Sequence, residues 1–184
     1  IYFQTIDSTF ATEESAKINI LALKNNAPKK KRIKIVYYAK PVLGEDEIKS
    51  DGYIKLQYEE NSNVLIAKNL YDVDGLKDIV YISSSEKIKS YTGNKKSFLG
   101  KGGILNPDGM HHMRLDNNNG IGKKSCMAVE LEVEIESFSD KKISIILGAE
   151  ESLITAKDIA YKYSKVQNCK TELDKVKAKW SELL

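Results

Sequence analysis

AVELEVEI, residues 128–135, alternates apolar and acidic side chains with the two-residue period of a β-strand. Because its three glutamates fall on one face, this strand is expected to have one side in water. Past a turn at residues 139–142, residues 143–147 are apolar almost throughout, which indicates a strand buried on both faces. A half-buried strand next to a fully buried one predicts layered sheets, so we expect a β-sandwich.

The other residues up to position 150 support an all-β fold. Short apolar segments recur about every ten residues between turns that contain Asn, Gly or Pro, as in antiparallel sandwiches. Strands are expected at residues 16–24, 31–38, 53–58, 64–68 and 78–83. The turn at residues 25–28 separates the first two of these strands and predicts that they pair as a hairpin.

After residue 150 the apolar period becomes helical. Residues 155–158 and 171–174 each resemble a capping box, which predicts that a helix starts at the threonine of each. Ile154 and Ile159 have the spacing of a hydrophobic staple across the first of these starts. The second helix has one apolar stripe, formed by Leu173, Val176, Trp180 and Leu183. We interpret this stripe as a docking surface.

Composition limits the classes of partner. The chain has 184 residues, enough for one domain with a sizeable core. Its 29 basic and 26 acidic side chains are scattered and leave a formal net charge of +3, so we expect no nucleic-acid partner. No apolar run approaches the roughly 18 residues of a membrane-spanning helix, so we expect no membrane partner. Cys126 and Cys169 lie far apart, which favours a reduced, cytoplasmic protein over a disulfide framework.

No catalytic or cofactor motif stands out in the sequence. His111 and His112 on an extended segment point to opposite faces, so we expect no metal site. Residues 116–120 place the glycine one position too early for an EF-hand loop and are interpreted as a turn. The glutamates of residues 128–135 are interpreted as a solvated sheet surface, and Cys126 as a core thiol. We expect no catalytic residue and no cofactor here, which leaves open whether the protein is an enzyme.

Three places in the chain carry a resemblance to a known family. They are IVYYA at residues 35–39 with VLG at 42–44, SFLG at 97–100, and LGA at 147–149 before a helix ending at Tyr163. In this order and spacing they are similar to the β-sandwich domain of the glycoside phosphorylases of glycoside hydrolase family 94, formerly glycosyltransferase family 36. Cellobiose phosphorylases, β-1,2-oligoglucan phosphorylases and cyclic β-1,2-glucan synthases are relatives of this kind. The resemblance implies an antiparallel, galactose-mutarotase-like β-supersandwich with one or two C-terminal helices.

The resemblance also implies a function. In the family, an aspartate of a separate helical barrel acts as general acid while inorganic phosphate attacks the anomeric carbon, without metal or nucleotide. Residues 1–150 would form the non-catalytic sandwich, and residues 151–184 a helical segment leading toward that barrel. The expected partners are a β-glucan or oligosaccharide and the barrel, with a homodimer left open. The apolar start at Ile1–Phe3, without an initiator Met, indicates a piece of a larger protein that begins inside the sandwich.

Residues 84–124 lack a regular period and contain several glycine turns, so we interpret them as a long loop laid over a surface. Many family members follow Phe-Leu-Gly with arginines, but this chain has only Lys101 there. Because sugar rings stack on aromatic side chains, we consider Phe98, Lys101 and Tyr91 as contacts to carbohydrate or to a neighbouring domain. Tyr81 is a further aromatic candidate. The default interpretation is core packing for the tyrosines and solvation for the lysine.

Two other functions remain open at this point. The chain could be a free-standing carbohydrate-binding module, which needs a solvent-exposed aromatic face. It could also be a structural interaction domain that docks through the stripe containing Trp180. A non-catalytic domain of a carbohydrate-active phosphorylase, supporting its barrel, is the function that the resemblance favours.

Overall fold

The computed structural model describes residues 2–44, 47–71 and 79–183, with side chains from Thr5 onward. Within these ranges the strands are β1 (Tyr2–Phe10), β2 (Ala16–Asn25), β3 (Lys31–Ala39), β4 (Ile54–Glu59), β5 (Val64–Asn69), β6 (Ile79–Ser84), β7 (Ile88–Asn94), β8 (Ser125–Ile135) and β9 (Ser139–Glu150). The helices are α1 (Glu47–Ser50), α2 (Lys95–Leu99), α3 (Leu153–Ser164) and α4 (Val166–Leu183), with a 3-10 turn at Asp108–Met110.

The strands form two sheets in which every neighbouring pair is antiparallel. The larger sheet has the order β1-β2-β9-β6-β5-β4, and the smaller has the order β3-β8-β7. The predicted all-β sandwich with C-terminal helices is therefore confirmed. The five central predicted strands are also present, each within about two residues of its expected bounds, as is usual for element ends.

The main core lies between the two sheets. The odd-numbered residues of β8, from Met127 to Ile135, point into it because successive side chains of a strand alternate between faces. They meet Leu21 and Leu23 of β2 and Ile143 and Ile145 of β9. The apolar residues of the AVELEVEI pattern are therefore the ones that pack between the two sheets.

A second core lies on the other face of the larger sheet, where α3 and α4 pack. Ile18 of β2, Tyr81 of β6 and Ile146 of β9 contact Ala160 and Tyr163 of α3 there. Because β9 lies inside the larger sheet, with the smaller sheet on one face and helices on the other, its apolar run is buried on both faces as predicted. No helix among the described residues is long and apolar enough to cross a membrane.

The predicted hairpin between the first two expected strands is wrong. β2 pairs with β1 and β9 in the larger sheet, whereas β3 pairs with β8 in the smaller one. The connection between them crosses from one sheet to the other. Asn25 stabilises this crossing, since its side-chain amide lies 2.9 Å from the Lys29 carbonyl and 2.8 Å from the Glu136 carbonyl. A turn motif predicts a chain reversal, but it does not specify which strand lies alongside.

The connection from β8 to β9 also crosses between the sheets. The turn expected at residues 139–142 lies inside β9, and the reversal occurs just before it, where Phe138 has a positive φ of 50°. Asn25 lies between the two crossings, because it bonds the carbonyls of both Lys29 and Glu136. One buried amide thus stabilises both places where the chain changes sheets.

The interval interpreted as irregular contains two regular elements that were missed. β7 occupies Ile88–Asn94, and α2 follows at once with Asn94 as its N-cap, accepting from the Ser97 amide at 3.2 Å. The rest of the interval is a short turn before β7 and the glycine-rich stretch after α2, which contains the 3-10 turn. The register of β7 on β8 shifts twice, near Ser90 and near Asn94, which explains why no regular alternation is visible in its sequence.

Both predicted helix starts are wrong. α3 begins at Leu153 because the Ser152 hydroxyl accepts from the Thr155 amide at 3.1 Å, and this makes Ser152 the N-cap. Thr171 lies inside α4, where its hydroxyl donates to the Gln167 carbonyl. Ile154 is exposed, so it forms no staple. A Thr-x-x-Asp pattern is too common to locate a helix start when a nearby serine offers a competing cap.

Candidate functional site

The outer face of the smaller sheet is formed by the even-numbered residues of β8. Its side chains change along the strand from small and apolar to acidic at Glu130, Glu132 and Glu134. We predicted a solvated surface here, and this is wrong for Glu130, which is only 1% exposed. The glycine-rich loop, defined as residues 95–124, packs over the first half of this face and removes it from water.

Two ion pairs hold the loop against the acidic face. The guanidinium of Arg114 donates to Oε1 of Glu130 at 2.6 Å and to Oε2 of Glu132 at 2.7 Å. Lys34 of β3 lies 3.2 Å from Oε2 of Glu130, without the angles of a hydrogen bond, and donates instead to the His112 carbonyl at 2.7 Å. The buried carboxylate of Glu130 therefore has two cations beside it, as burial of a charge requires.

Sequence reasoning missed the role of Arg114. The chain has only two arginines, Arg32 and Arg114, and both contact glutamates of β8. That scarcity was the available signal, because a planar guanidinium suits a row of carboxylates better than an ammonium does. The loop position of Arg114 concealed the pairing, since its partners follow 16 and 18 residues later.

Glu134, at the exposed end of the same face, is held in the charged state. Hydrogen bonds from Lys30 and then Arg32 lower its pKa from 4.5 to about 2. A carboxyl group with this pKa has no proton to donate near neutral pH. The row of glutamates is therefore an ion-pair surface, in which no carboxyl group is arranged as a general acid beside a second as a base.

Phe98 holds the start of the loop. It is 2% exposed, and its ring stacks on Tyr38 of β3 with centroids 5.3 Å apart. Leu115 packs in the same cluster, and the loop passes so close at Gly109 that a Cβ there would lie 2.6 Å from the Phe98 ring. The structure thus places Phe98 in the interior, where it has little surface left for a sugar or for another domain.

Phe98→Leu is expected to lower the free energy of unfolding by about 1–2 kcal/mol, because the leucine loses the stack on Tyr38 and leaves part of the ring volume empty. Chemical denaturation measures the change. The matched control is Phe10→Leu, which alters a phenylalanine that is 71% exposed and is expected to change stability by less than about 0.5 kcal/mol. Equal effects of the two substitutions would show that Phe98 does not hold the loop.

Lys101 follows α2 at the surface. Its backbone amide donates to Oδ2 of Asp108 at 3.1 Å, which holds the loop in shape around an exposed side chain. Within the described ranges its ammonium has no ion-pair partner. It is therefore accessible, and its predicted contact with carbohydrate or a neighbouring domain stays a prediction.

Tyr91 lies in a cleft at the other end of the loop. Its ring centroid is 6.1 Å from that of Tyr58 on β4, with the planes inclined by 46°. The cleft has a volume of about 390 Å³. Its walls are formed by Tyr58, Glu60, Lys87, Ile88, Lys89, Ser90, Tyr91 and Asn117. The predicted contact residue Tyr91 therefore lines a cavity. Sequence reasoning missed the other lining residues, because the lining comes from three separate segments of the chain.

Backbone contacts fix the geometry of this cleft. The Tyr91 amide donates to Oδ1 of Asn117 at 3.0 Å, and the Asn117 amide donates to the Tyr91 carbonyl at 2.8 Å. Asn117 has a positive φ of 52°, which asparagine tolerates better than most residues. The Tyr58 hydroxyl lies 3.0 Å from Oδ1 of Asn63 and 3.2 Å from the Ile88 carbonyl. Hydrogen bonds thus position the Tyr58 ring directly and the Tyr91 ring through its backbone.

The remaining aromatic candidates lie elsewhere. Tyr81 is fully buried beneath α3, as the default interpretation of core packing expects, and is therefore excluded as an accessible aromatic contact. Burial raises the pKa of its hydroxyl well above the usual value of 10. Tyr53 is exposed, and its ring centroid lies 5.0 Å from that of Tyr71.

The histidines and the asparagine-rich turn are surface features of the loop. His111 and His112 are exposed, and Nε2 of His111 lies 2.9 Å from Oδ1 of Asn106. In residues 116–120 the side-chain oxygens cap backbone amides, as when Oδ1 of Asp116 accepts from the Asn118 amide. Across the described residues no three His, Cys, Asp or Glu side chains are grouped as metal ligands.

Both cysteines are buried, as expected for core thiols. Cys126 starts the outer face of β8, with Sγ 3.5 Å from the Thr92 carbonyl, and burial raises its pKa to about 12. Cys169 of α4 lies against the Tyr163 carbonyl at 3.2 Å, and burial raises its pKa as well. A thiol that is hard to ionise is a poor nucleophile, so Cys126 is a packing residue.

The predicted docking stripe on α4 divides into two parts. Leu173 packs against the core beneath α3 and α4, and Val176 is half-buried. Trp180 and Leu183 are 61% and 68% exposed. The first turns of α4 are therefore held by the sandwich, whereas its end presents large apolar side chains to solvent.

These features define the class of domain. The fold is a β-supersandwich: it has two stacked antiparallel sheets, a loop held by ion pairs over the smaller sheet, and helices packed on the larger sheet. The family model described as "Glycosyl hydrolase 94, supersandwich domain" matches residues 4–166. The chain belongs to this family, which confirms the resemblance seen in the sequence.

Two proteins that are similar to this chain are much longer than it is. "Cyclic beta-(1,2)-glucan synthase NdvB" of Rhizobium meliloti (strain 1021) is 24% identical over 135 residues, covering 72% of this chain and 5% of that protein. The solved structure "Putative kojibiose phosphorylase from human microbiome" matches with a TM-score of 0.43 and 13% identity, covering 89% of this chain and 18% of the other. The chain thus spans a small fraction of the length of either protein.

Proposed function

We propose that this chain is a non-catalytic domain of a glycoside phosphorylase-type enzyme acting on β-glucosides. The observation that carries the proposal is the supersandwich match over residues 4–166. The name of the glucan synthase relative supports a β-glucan as substrate class. On this proposal, catalysis belongs to a helical barrel of the parent protein, which the sandwich supports. Oligosaccharide and a second copy of the chain are further proposed partners, and a cytoplasmic location stays a prediction.

The state of the acidic face supports a non-catalytic role. Glu130 is buried between Arg114 and Lys34, and Glu134 has a pKa of about 2. Glycoside cleavage needs a carboxyl group that keeps its proton until it reaches the leaving oxygen, so its pKa must be raised and not lowered. Glu130 and Glu132 instead hold the loop on the sheet through Arg114, and Glu134 forms ion pairs beside β3.

The exposed end of α4 supports docking to the barrel. Trp180 and Leu183 present large apolar side chains on one side of the helix, beyond the point where the sandwich covers it. Tryptophan is enriched among the residues that dominate protein interfaces. The parent protein is the proposed occupant, because the chain covers only 5% of the glucan synthase relative.

Trp180→Glu is expected to leave the unfolding free energy of the 184-residue chain within about 0.5 kcal/mol of wild type, because Trp180 is mostly exposed. In the full-length protein the same change is expected to lower phosphorolysis of β-glucosides at least about tenfold, since a charge would be buried in the interface. Release of sugar 1-phosphate from a β-glucoside and inorganic phosphate measures the activity.

The matched control is Ala178→Glu, which adds the same charge at an exposed position on the opposite side of α4. It is expected to preserve phosphorolysis. Wild-type activity in the full-length Trp180→Glu protein would overturn docking through this stripe. Sugar 1-phosphate released by the 184-residue chain alone would overturn the non-catalytic role.

A further inference from the structure

The cleft between Tyr58 and Tyr91 has the composition of a sugar site. Its volume of about 390 Å³ lies at the lower end of the range of about 300–1,000 Å³ typical of small-ligand sites. Tyr58 and Tyr91 supply aromatic surface, and the lining residues that can form hydrogen bonds include Lys87, Lys89, Glu60 and Asn117. Most small-ligand sites are lined mainly by apolar side chains. This cleft is more polar, since only Tyr58, Ile88 and Tyr91 of its eight lining residues are aromatic or aliphatic.

The Tyr58 ring and the Tyr91 backbone are positioned before any ligand binds. The Tyr58 hydroxyl is engaged inward with Asn63 and the Ile88 carbonyl, and the Tyr91 backbone is paired on both sides with Asn117. A ring held in place loses little conformational entropy on binding, which raises affinity. Because the ring planes are inclined by 46°, the two rings are not stacked on each other.

The charges of the cleft cancel in part, since Lys87 is paired with Glu60 and Lys89 leaves one net positive charge. Lys87 donates to Oε1 of Glu60 at 2.7 Å, so one of the two ammonium groups in the cleft is already neutralised. This bond also raises the pKa of Lys87 and lowers that of Glu60, so both stay charged near neutral pH. Donors and acceptors therefore lie side by side, as the hydroxyl groups of a sugar require, since each both donates and accepts.

One polar group in the cleft is free to bind. Oδ1 of Asn117 accepts from the Tyr91 amide, whereas its Nδ2 group has no hydrogen-bond partner within the described ranges. The Asn117 side chain is thus held at the Tyr91 backbone and keeps a donor for a ligand. We propose that this cleft is a carbohydrate-binding site for a disaccharide-sized part of a β-linked glucan. The choice of a β-linked glucan rests on the proposed function, whereas the site itself rests on the cleft.

The test is a titration of the ¹⁵N-labelled 184-residue chain followed by amide chemical shifts. The probes are sophorose and cellobiose as β-linked disaccharides, maltose as an α-linked one, and inorganic phosphate. The β-linked sugars are expected to give saturable shifts at Lys89, Tyr91 and Asn117. The second aromatic pair, Tyr53 and Tyr71, serves as an internal reference and is expected to keep its shifts.

Tyr91→Ala is expected to weaken sugar binding about tenfold, because it removes one of the two stacking faces. Tyr53→Ala is the matched control, since it removes an exposed tyrosine from the other aromatic pair and is expected to preserve the affinity. Should Tyr91→Ala fail to fold, Lys89→Ser replaces an exposed side chain of the cleft and is expected to weaken binding severalfold. The shift map of the wild type requires no substitution.

The outcomes separate this site from the proposed function. Absence of saturable shifts at the cleft with every sugar, or shifts with phosphate alone, would overturn the site and leave the phosphorylase assignment standing. If maltose bound as tightly as sophorose, the cleft would still be a carbohydrate site, but the proposed preference for β-linked glucans would be wrong. An unchanged affinity in a folded Tyr91→Ala variant would also overturn the site.

Discussion

Gly148→Ala is expected to lower the free energy of unfolding by about 3 kcal/mol, the upper end of the usual cost of overpacking a core. Gly148 of β9 lies directly opposite Tyr81 of β6 in the larger sheet. A Cβ at Gly148 would lie 2.4 Å from both Cζ and the hydroxyl oxygen of Tyr81. The Tyr81 ring is fully buried against α3, so it has no free space into which to move.

Urea denaturation of the variant measures this effect. The matched control is Ala149→Val, which enlarges the next residue of β9 on its exposed side and is expected to cost less than about 0.5 kcal/mol. The double variant with Tyr81→Leu is expected to lose less stability than the sum of its single changes, because the smaller side chain makes room for the added methyl group. Near wild-type stability of Gly148→Ala would contradict the packing described here.

Glu172→Ala is expected to cost about 2–3 kcal/mol, because a buried carboxylate makes several charge-assisted hydrogen bonds. Glu172 of α4 is 2% exposed, and its Oε1 accepts from the Thr12 amide at 2.7 Å and from the Thr12 hydroxyl. Lys175 lies 3.2 Å from Oε2. These contacts fasten the turn between β1 and β2 to α4, so chemical denaturation of the variant should also show earlier exposure of this turn.

The same carboxylate predicts a dependence of stability on pH. Burial by itself raises the pKa of Glu172, but the hydrogen bonds from Thr12 and then Lys175 outweigh it and leave the pKa below 4.5. A pKa that is lower in the folded state gives stability that is present above the unfolded value and lost as pH falls through the folded one. Stability is therefore expected to fall below about pH 4.5, and less steeply in Glu172→Gln.

Denaturation midpoints measured from neutral pH down into the acid range test this dependence. The glutamine keeps an oxygen that can accept from Thr12 but cannot titrate in this range. Parallel curves for wild type and Glu172→Gln would rule out a contribution of Glu172 to acid unfolding. Thr12→Val removes the hydroxyl donor and keeps the backbone donor, so it is expected to reproduce part of the stability lost in Glu172→Ala.

The positions of the strands could be predicted from the sequence because residues i and i+2 of a strand lie on the same face. An apolar residue at every second position therefore indicates a buried face. AVELEVEI places its apolar half between the sheets, and residues 143–147 are buried on both sides as their composition predicts. The family resemblance could be recognised for a similar reason, since it depends on short segments in fixed order. The pattern was informative wherever local spacing alone decides which side of the chain faces the core.

Strand partners and the candidate site could not be predicted this way. Turn residues predict that the chain reverses direction. They do not distinguish a hairpin from a crossing between sheets such as the one at Asn25, because both use the same residue types. The two tyrosines of the cleft are 33 positions apart, and nothing near either one indicates the other. Glu130 was interpreted as solvated because its local pattern is acidic, whereas its burial depends on Arg114 from the loop.

The sequence by itself determined that the chain is an all-β sandwich with C-terminal helices and identified its family, because these depend on periodicity and on ordered short motifs. Only the tertiary structure decided which sheet each strand joins, that Phe98 and Tyr81 are interior, and that Tyr91 lines a cleft with Tyr58. The physical reason is that pairing, burial of charge and cavity shape arise between residues far apart in the chain, where local spacing carries no information.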